Sequence, residues 1–545
     1  MPITHSLTDK ENKKFRRTLL QYLLVILAVI SLPFLFKDKG SNITNVKGIK
    51  DVKYICLTGE IQPAYIGILN TYANNNGYQI DNGSNADCYI TIARNIKDIN
   101  NYTRLTNKIY MVVGRFDNLT SDISTTQLKE ALITQKYKGN NIIWDTETDD
   151  FLKSSFETIG VGQKVYTQEE VTSSLSRSPN ILTIIPFEKL TNKHKVLSID
   201  GLNPLEKDFS SLRYPLADKY WISGPKDVRD SISKLLYTTV PETNYESKKL
   251  TTLVLTGSSA FGSGIQQKLI NQRGLSFISQ SLRNIIETAD IAQINNEASL
   301  SQPCVQSETS SKYCTTQENL KLLKSLGFDI VGVNGNHIMD ISYSSYIDTL
   351  NWYKANGLEY YAGGLNSSDA CTPRIVTANG LKFAFIGFNF LYPFSYYATK
   401  TTAGSANVDL NIMKETISKA RKTSNIVIMD MGWGYEYQSN LLNYQTEFAQ
   451  KALDYGADIV IGTNSRVFQK TKIGDDKSIF YGLGAFLPQT YKSSLSAIYR
   501  LTFYNGKPVN TTVFPITLTG NTVELASGSQ SDTILKALYK QLEIK

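Results

Sequence analysis

Along the 545-residue chain the spacing of apolar and polar positions changes character, and each change marks a different kind of structure. From Leu19 to Phe36 the run LLQYLLVILAVISLPFLF holds eighteen residues without a charge, between KKFRR and KDK. A helix of that length reaches roughly 27 Å, close to the hydrocarbon thickness of a bilayer. A cleaved signal peptide has a shorter apolar core and a small-residue cleavage site, whereas Pro33-Phe-Leu-Phe36 runs straight into Lys37. The pattern therefore predicts an uncleaved transmembrane anchor over 19–36. The Lys/Arg excess before it puts a tail, residues 1–18, in the cytoplasm and the body of the protein outside the cell membrane. Residues 37–51 are polar and contain glycine, which suits a tether.

From Val52 onward short β-branched runs alternate with segments of helical period. Strands are predicted at Lys53–Thr58, Cys88–Ile92, Ile109–Val113, Asn141–Trp144 and Ile181–Pro186. Helices are predicted at Ala64–Ala73, Thr126–Thr134 and Phe151–Ile159. Single helices between strands imply a doubly wound α/β domain over 52–240. Residues 241–250 are polar and hold a proline, and read as a linker. A second α/β series begins at Thr251 and runs to about residue 530, with Ser478–Gly484 as its last well-marked strand. The loop Gly257-Ser-Ser-Ala-Phe-Gly-Ser-Gly264 lacks the Lys-Ser/Thr pair of a phosphate cradle and reads as a turn.

One stretch looks built for chemistry. In Leu326-Gly-Phe-Asp-Ile-Val-Gly-Val-Asn-Gly-Asn-His-Ile-Met-Asp340 a buried strand ends in an Asn-His pair followed by an acid. Ligands of open α/β sheets bind beyond the carboxyl ends of the strands, which makes Asn336 and His337 candidate catalytic residues. The competing reading is an amide and an imidazole that merely cap the strand turn. Other strand ends contribute Glu297, Asp430, Trp433, Glu436 and Arg466.

Charge and cysteine usage refine this picture. The formal charge of +8 is concentrated near Lys10, Lys13, Lys14, Arg16 and Arg17, and no basic stripe interleaves with aromatics, so nucleic acid is not an expected partner. Cys304 and Cys314 share a polar loop and invite a disulfide in an oxidising compartment, whereas Cys56, Cys88 and Cys371 sit beside apolar runs and read as buried small hydrophobes. No C-x-x-C pair exists for a thiolate zinc site.

Leu57-Thr-Gly-Glu60, Gly139 with Ile143-Trp144, Ile184-Ile-Pro186, Val196-Leu-Ser-Ile-Asp-Gly201 and Tyr214-Pro-Leu216 resemble the type 2 periplasmic solute-binding domain, notably its phosphate-binding branch. Such domains present a small hydroxyl residue after the first Gly. Here Glu60 stands there, and its carboxylate would repel phosphate.

In the second series, Asn295-Asn-Glu297, Gly335-Asn-His337 with Asp340, Trp433 with Glu436-Tyr437, Gly456-Ala-Asp-Ile-Val-Ile-Gly462 and Tyr481-Gly-Leu-Gly484 resemble, in order, the capsule-synthesis CapA family of poly-γ-glutamate proteins. The resemblance spans about residues 251–490. It implies a metallophosphatase-like αββα fold of two packed sheets flanked by helices. A two-metal site of that kind needs bridging carboxylates and several imidazoles. The chain has three histidines, His5, His194 and His337. Against the family pattern, Glu297, Asn336, His337 and Asp340 remain. Ser258 replaces an Asp, Gly432 a His, Thr463-Asn-Ser-Arg466 a His-rich motif and Ala485 an Asn.

Glu297 and Asn336, with Asp430, could hold one divalent cation through oxygens, but not a metal pair. The resemblance implies a membrane-anchored protein that makes, anchors or handles an anionic surface polymer, or serves the machinery that does. The expected mode is binding in a groove formed by Glu297, Asp340, Trp433, Glu436 and Arg466 around Asn336 and His337. Two alternatives stand beside it: a metal-dependent hydrolase or transferase with a reduced site, and a small-ligand sensor working through the first domain.

Overall fold

The computed structural model describes residues 52–544 apart from 60, 62, 83–86, 97, 157–162, 261–277, 306–311, 392, 488–495 and 520–521. The tail, the apolar run 19–36, the tether and Glu60 lie outside the described residues. Among those described, no helix is long and apolar enough to cross a membrane.

Buried aliphatic runs organise the first half. Ile55, Leu57, Ile90, Ile92 and Ile109–Val113 are almost entirely shielded from solvent and form the centre of one mixed sheet. Its strand order is Tyr78–Asp81, Lys53–Thr58, Cys88–Arg94, Ala217–Ser223, Thr103–Arg115, Ile181–Pro186, Asn140–Ile143, Lys136–Tyr137. All five predicted strands are there, but the sheet is not purely doubly wound. Ala217–Ser223 returns from the far end of the segment and inserts antiparallel between two earlier strands. Thr103–Arg115 is long enough to serve two partners in succession. Residues 103–109 pair with that inserted strand and residues 110–114 with Ile181–Pro186.

The second half consists of two large sheets. One runs Glu359–Tyr361, Ile330–Gly332, Ile291–Asn296, Leu250–Ser259, Ser496–Tyr504, Lys507–Thr519, Thr522–Leu525. The other runs Arg374–Ala378, Leu381–Asn389, Ile426–Gly432, Ile459–Thr463, Ser478–Phe480, Thr471–Ile473, Leu542–Ile544. Alternate residues of each strand point to opposite faces, so each sheet has an inner and an outer apolar face. Leu253, Leu255, Ile330, Phe383, Phe385, Ile428 and Ile461 form the inner core between the sheets. On the outside, Leu282, Leu320, Leu323 and Leu350 cover one sheet with helices, and Met413, Ile417, Ala449 and Ala452 cover the other. The result is the helix–sheet–sheet–helix layering that the family resemblance implies.

Beyond Phe480 the sequence pattern underestimates the fold. Ser496–Tyr504 and Lys507–Thr519 form a long antiparallel hairpin, and the chain goes on past residue 530 to the strand Leu542–Ile544. The signal was in plain sight: Asn505-Gly506, flanked by strand formers, adopts φ of 50° and 78°, the left-handed pair a two-residue hairpin turn requires.

Residues 241–250 are not a free tether. The Asn244 side chain accepts from Ile109 N (2.8 Å) and donates to Ile109 O (3.0 Å), and Tyr245 is buried. Lys53–Lys545 forms one compact unit, and both halves contribute to a shared core in which Phe187 packs edge-on against Tyr504 at 4.8 Å. Polar links reinforce this joint. Asn192 donates to Ser478 Oγ (3.0 Å) and accepts from Thr511 (2.7 Å), while Arg500 grips Glu206.

Cys304 and Cys314 are bonded, as are Cys56 and Cys88. The second bond corrects the expectation that Cys56 and Cys88 are simple buried hydrophobes. Parallel pairing of their strands brings together residues that are 32 apart in sequence, which no local pattern reveals. Loop-closure entropy assigns that crosslink ~3.5 kcal/mol, so the double variant Cys56→Ser/Cys88→Ser should lower urea stability by about that amount. A second expectation concerns His194, whose Nδ1 accepts from Thr191 N (3.0 Å) at the joint. Burial pulls its pKa down to about 4. The unfolded chain takes up a proton near pH 6.5 that the folded one refuses, so stability is full above that pH and declines towards pH 4, by up to ~3 kcal/mol. His194→Gln should flatten that slope in denaturation curves measured across this window.

Candidate functional site

Parallel strands from both sheets end at one rim. Ile291–Asn296 delivers Glu297, and Ile330–Gly332 leads into Asn334, Asn336 and His337. From the other sheet, Ile426–Gly432 leads to Glu436 and Ile459–Thr463 to Asn464 and Arg466. Gly335 lets the Asn-His loop lie flat on Glu297, because a Cβ there would sit 2.6 Å from the Glu297 Cγ.

The charged groups converge. Arg466 Nη2 lies 2.7 Å from Glu297 Oε2 and 3.1 Å from Glu436 Oε1, and its Nη1 donates to the Tyr313 hydroxyl at 3.0 Å. The Glu297 and Arg466 side chains are 0% and 2% exposed. His337 places Nδ1 2.5 Å from Asp340 Oδ2 and Nε2 3.7 Å from Glu436 Oε1. Tyr313 roofs this group: its ring stacks on His337 at 3.7 Å, and its backbone N–H donates to Asp340 Oδ2 at 2.9 Å. No chemical motif singles out Tyr313; its one sequence signal is its place beside Cys314.

Electrostatics follow from these contacts. Burial by itself lowers the His337 pKa, but hydrogen bonds to Asp340 and Glu436 and the charge of Glu297 more than offset it and raise it to about 9. Burial raises the Glu436 pKa, yet the bond to His337 and the Arg466 charge bring it below the ordinary value. At neutral pH the imidazole is therefore a cation clasped by carboxylates. Glu436, 32% exposed, and His337, 16% exposed, face the outside. The buried Glu297 Oε1 and Asn336 Oδ1 have no protein partner among the described residues.

Two expectations need correction. Trp433 is fully buried, donates Nε1–H to Tyr481 O (2.8 Å) and belongs to the core beneath the second sheet rather than to a groove. Ser258, at the same rim, accepts from Asn464 N through its Oγ at 3.2 Å. Asp430 is not available as an oxygen ligand. Tyr361 donates to one of its oxygens (2.8 Å) and Thr463 to the other (3.1 Å), and burial raises its pKa to about 6.

A metal pair does not fit these residues. Glu297 already faces a guanidinium, and a Cβ at Gly432 would lie 2.7 Å from Asn334 O, leaving no room for an imidazole. Among the described residues no three His, Cys, Asp or Glu side chains are grouped to hold an ion.

Residues 252–490 match the family described as bacterial capsule synthesis protein PGA_cap. The chain is 29% identical over 224 residues to the PGA biosynthesis protein CapA of Bacillus subtilis (strain 168), covering 41% of this chain and 59% of that protein. It is 25% identical over 255 residues to the capsule biosynthesis protein CapA of Bacillus anthracis, covering 45% and 62%. It thus spans less than two thirds of either curated relative. Among solved structures, the calcineurin-like phosphoesterase YfkN from Bacillus subtilis overlaps 54% of this chain and 96% of its own at 12% identity and a TM-score of 0.27. Phosphate-transport binding proteins also overlap about a third of the chain, at TM-scores of 0.21 and 0.24. Such partial overlaps carry no weight beside the strand order. The segment that bears the strand-end cluster is, by its sequence, similar to the bacterial capsule synthesis family PGA_cap, as the order of its motifs implies.

Proposed function

We propose that the protein takes part in making, anchoring or handling an anionic cell-surface polymer of the capsule or poly-γ-glutamate type. The apolar run 19–36 would hold the body at the outer face of the cell membrane. One observation carries the reading: Glu297, Asn336, His337, Glu436 and Arg466 meet at the carboxyl edge of two sheets, within the segment similar to PGA_cap. The ligand meets His337 and Glu436 first, an imidazolium beside a carboxylate. That pair suits an amide-bearing chain, since one group donates and the other accepts while the polymer's own carboxylates stay in solvent. Asp340 and Tyr313 hold the imidazole in place, and Arg466 holds Glu436.

The test is complementation of a deletion in the producing cells. Glu436→Gln and His337→Gln should each cut surface polymer by roughly tenfold, the size expected from losing one charge-assisted hydrogen bond. Protein abundance should stay unchanged, and Glu447→Gln, on the exposed face of the helix Asn443–Tyr455, should behave as wild type. Full polymer yield from both site variants would sink the proposal. Binding of poly-γ-glutamate oligomers to the purified protein should hold from neutral pH upward until the imidazolium is lost near pH 9. In His337→Gln, titration calorimetry should show that pH dependence abolished.

A further inference from the structure

We infer that the Arg466 guanidinium is the site's built-in cation, taking over permanently the charge-balancing role that metal ions play in a metallophosphatase-like centre. Arg466 stands in Thr463-Asn-Ser-Arg466, where the resemblance calls for a His-rich motif, and it faces Glu297, a carboxylate the same resemblance assigns to metal. Its contacts are those of an ion in a cage: Glu297 at 2.7 Å, Glu436 at 3.1 Å and the Tyr313 hydroxyl at 3.0 Å.

Arg466 adopts φ of 57°, a left-handed conformation uncommon for a residue with a side chain, and the strand-end turn delivers the guanidinium to Glu297 in that conformation. A guanidinium does not lose its proton under any physiological condition. Next to it a divalent ion would meet like charge in a poorly screened interior. The other changed positions agree. Ser258 is occupied by Asn464 N, and Gly432 has no space for a larger side chain. The site is therefore charged independently of metal supply, whatever polymer it serves.

The experiment uses the full-length protein purified in detergent and dialysed against EDTA, with thermal unfolding and elemental analysis as readouts. Wild type should carry substoichiometric metal, and neither EDTA nor millimolar Mn²⁺ should move its midpoint. Arg466→Met leaves Glu297 buried without its counter-charge, so its midpoint should fall by roughly 5 °C or more. Added Mn²⁺ should then recover part of that loss in a saturable way. If Arg466→Met does not accumulate, Arg466→Met/Glu297→Gln removes cation and anion together. It should accumulate where Arg466→Met does not, and its midpoint should ignore Mn²⁺. A stoichiometric ion in wild type whose removal destabilises it would overturn the inference, as would a double variant that accumulates no better than Arg466→Met. None of these readouts involves polymer, so failure here is distinguishable from failure of the capsule reading.

Discussion

A buried ion pair joins the ends of two sheets. Glu297 follows a strand of one sheet and Arg466 follows a strand of the other, and their bond crosses the rim where the layers meet. Moving two charges out of water costs several kcal/mol for each ion, and the attraction repays it only when further hydrogen bonds complete the geometry. Glu436 and the Tyr313 hydroxyl supply such contacts to Arg466, with His337 beside Glu436, while Glu297 Oε1 and Arg466 Nε keep no protein hydrogen-bond partner among the described residues. The cluster is thus a single cooperative unit in which every charge is answered by another. It explains why the residues around it are so constrained, from Gly335 beneath Glu297 to the left-handed turn at Arg466.

This wiring changes what the strand-end residues can do. Each of the acids Glu297, Asp340 and Glu436 already has a cationic partner, so their number does not signal affinity for a metal. What reaches solvent is the His337–Glu436 pair, held in place from behind.

Much of the fold was legible because buried parallel strands write themselves as continuous β-branched runs. Asp329-Ile-Val-Gly-Val333 and Ile181-Leu-Thr-Ile-Ile-Pro186 needed nothing else. The hairpin after Ser496 was missed because SAIYRLTFY mixes polar and apolar residues, and the decisive Asn505-Gly506 lies between two such segments. Of the candidate site, Glu297, Asn336, His337, Glu436 and Arg466 could be named from their places after strands. Trp433 could not be sorted from them, since a tryptophan at a strand end looks the same whether it faces a groove or the core. Tyr313 and the Cys56–Cys88 bond were invisible for the same reason: both depend on which distant strands become neighbours.

The roof over the site is tied down covalently. Tyr313 precedes Cys314, whose disulfide to Cys304 closes a short loop, and through its backbone N–H and its ring Tyr313 holds both Asp340 and His337. The disulfide therefore shortens the free chain on which the roof over His337 and Asp340 hangs, so the aromatic face above the imidazole is anchored by a covalent bond a single residue away.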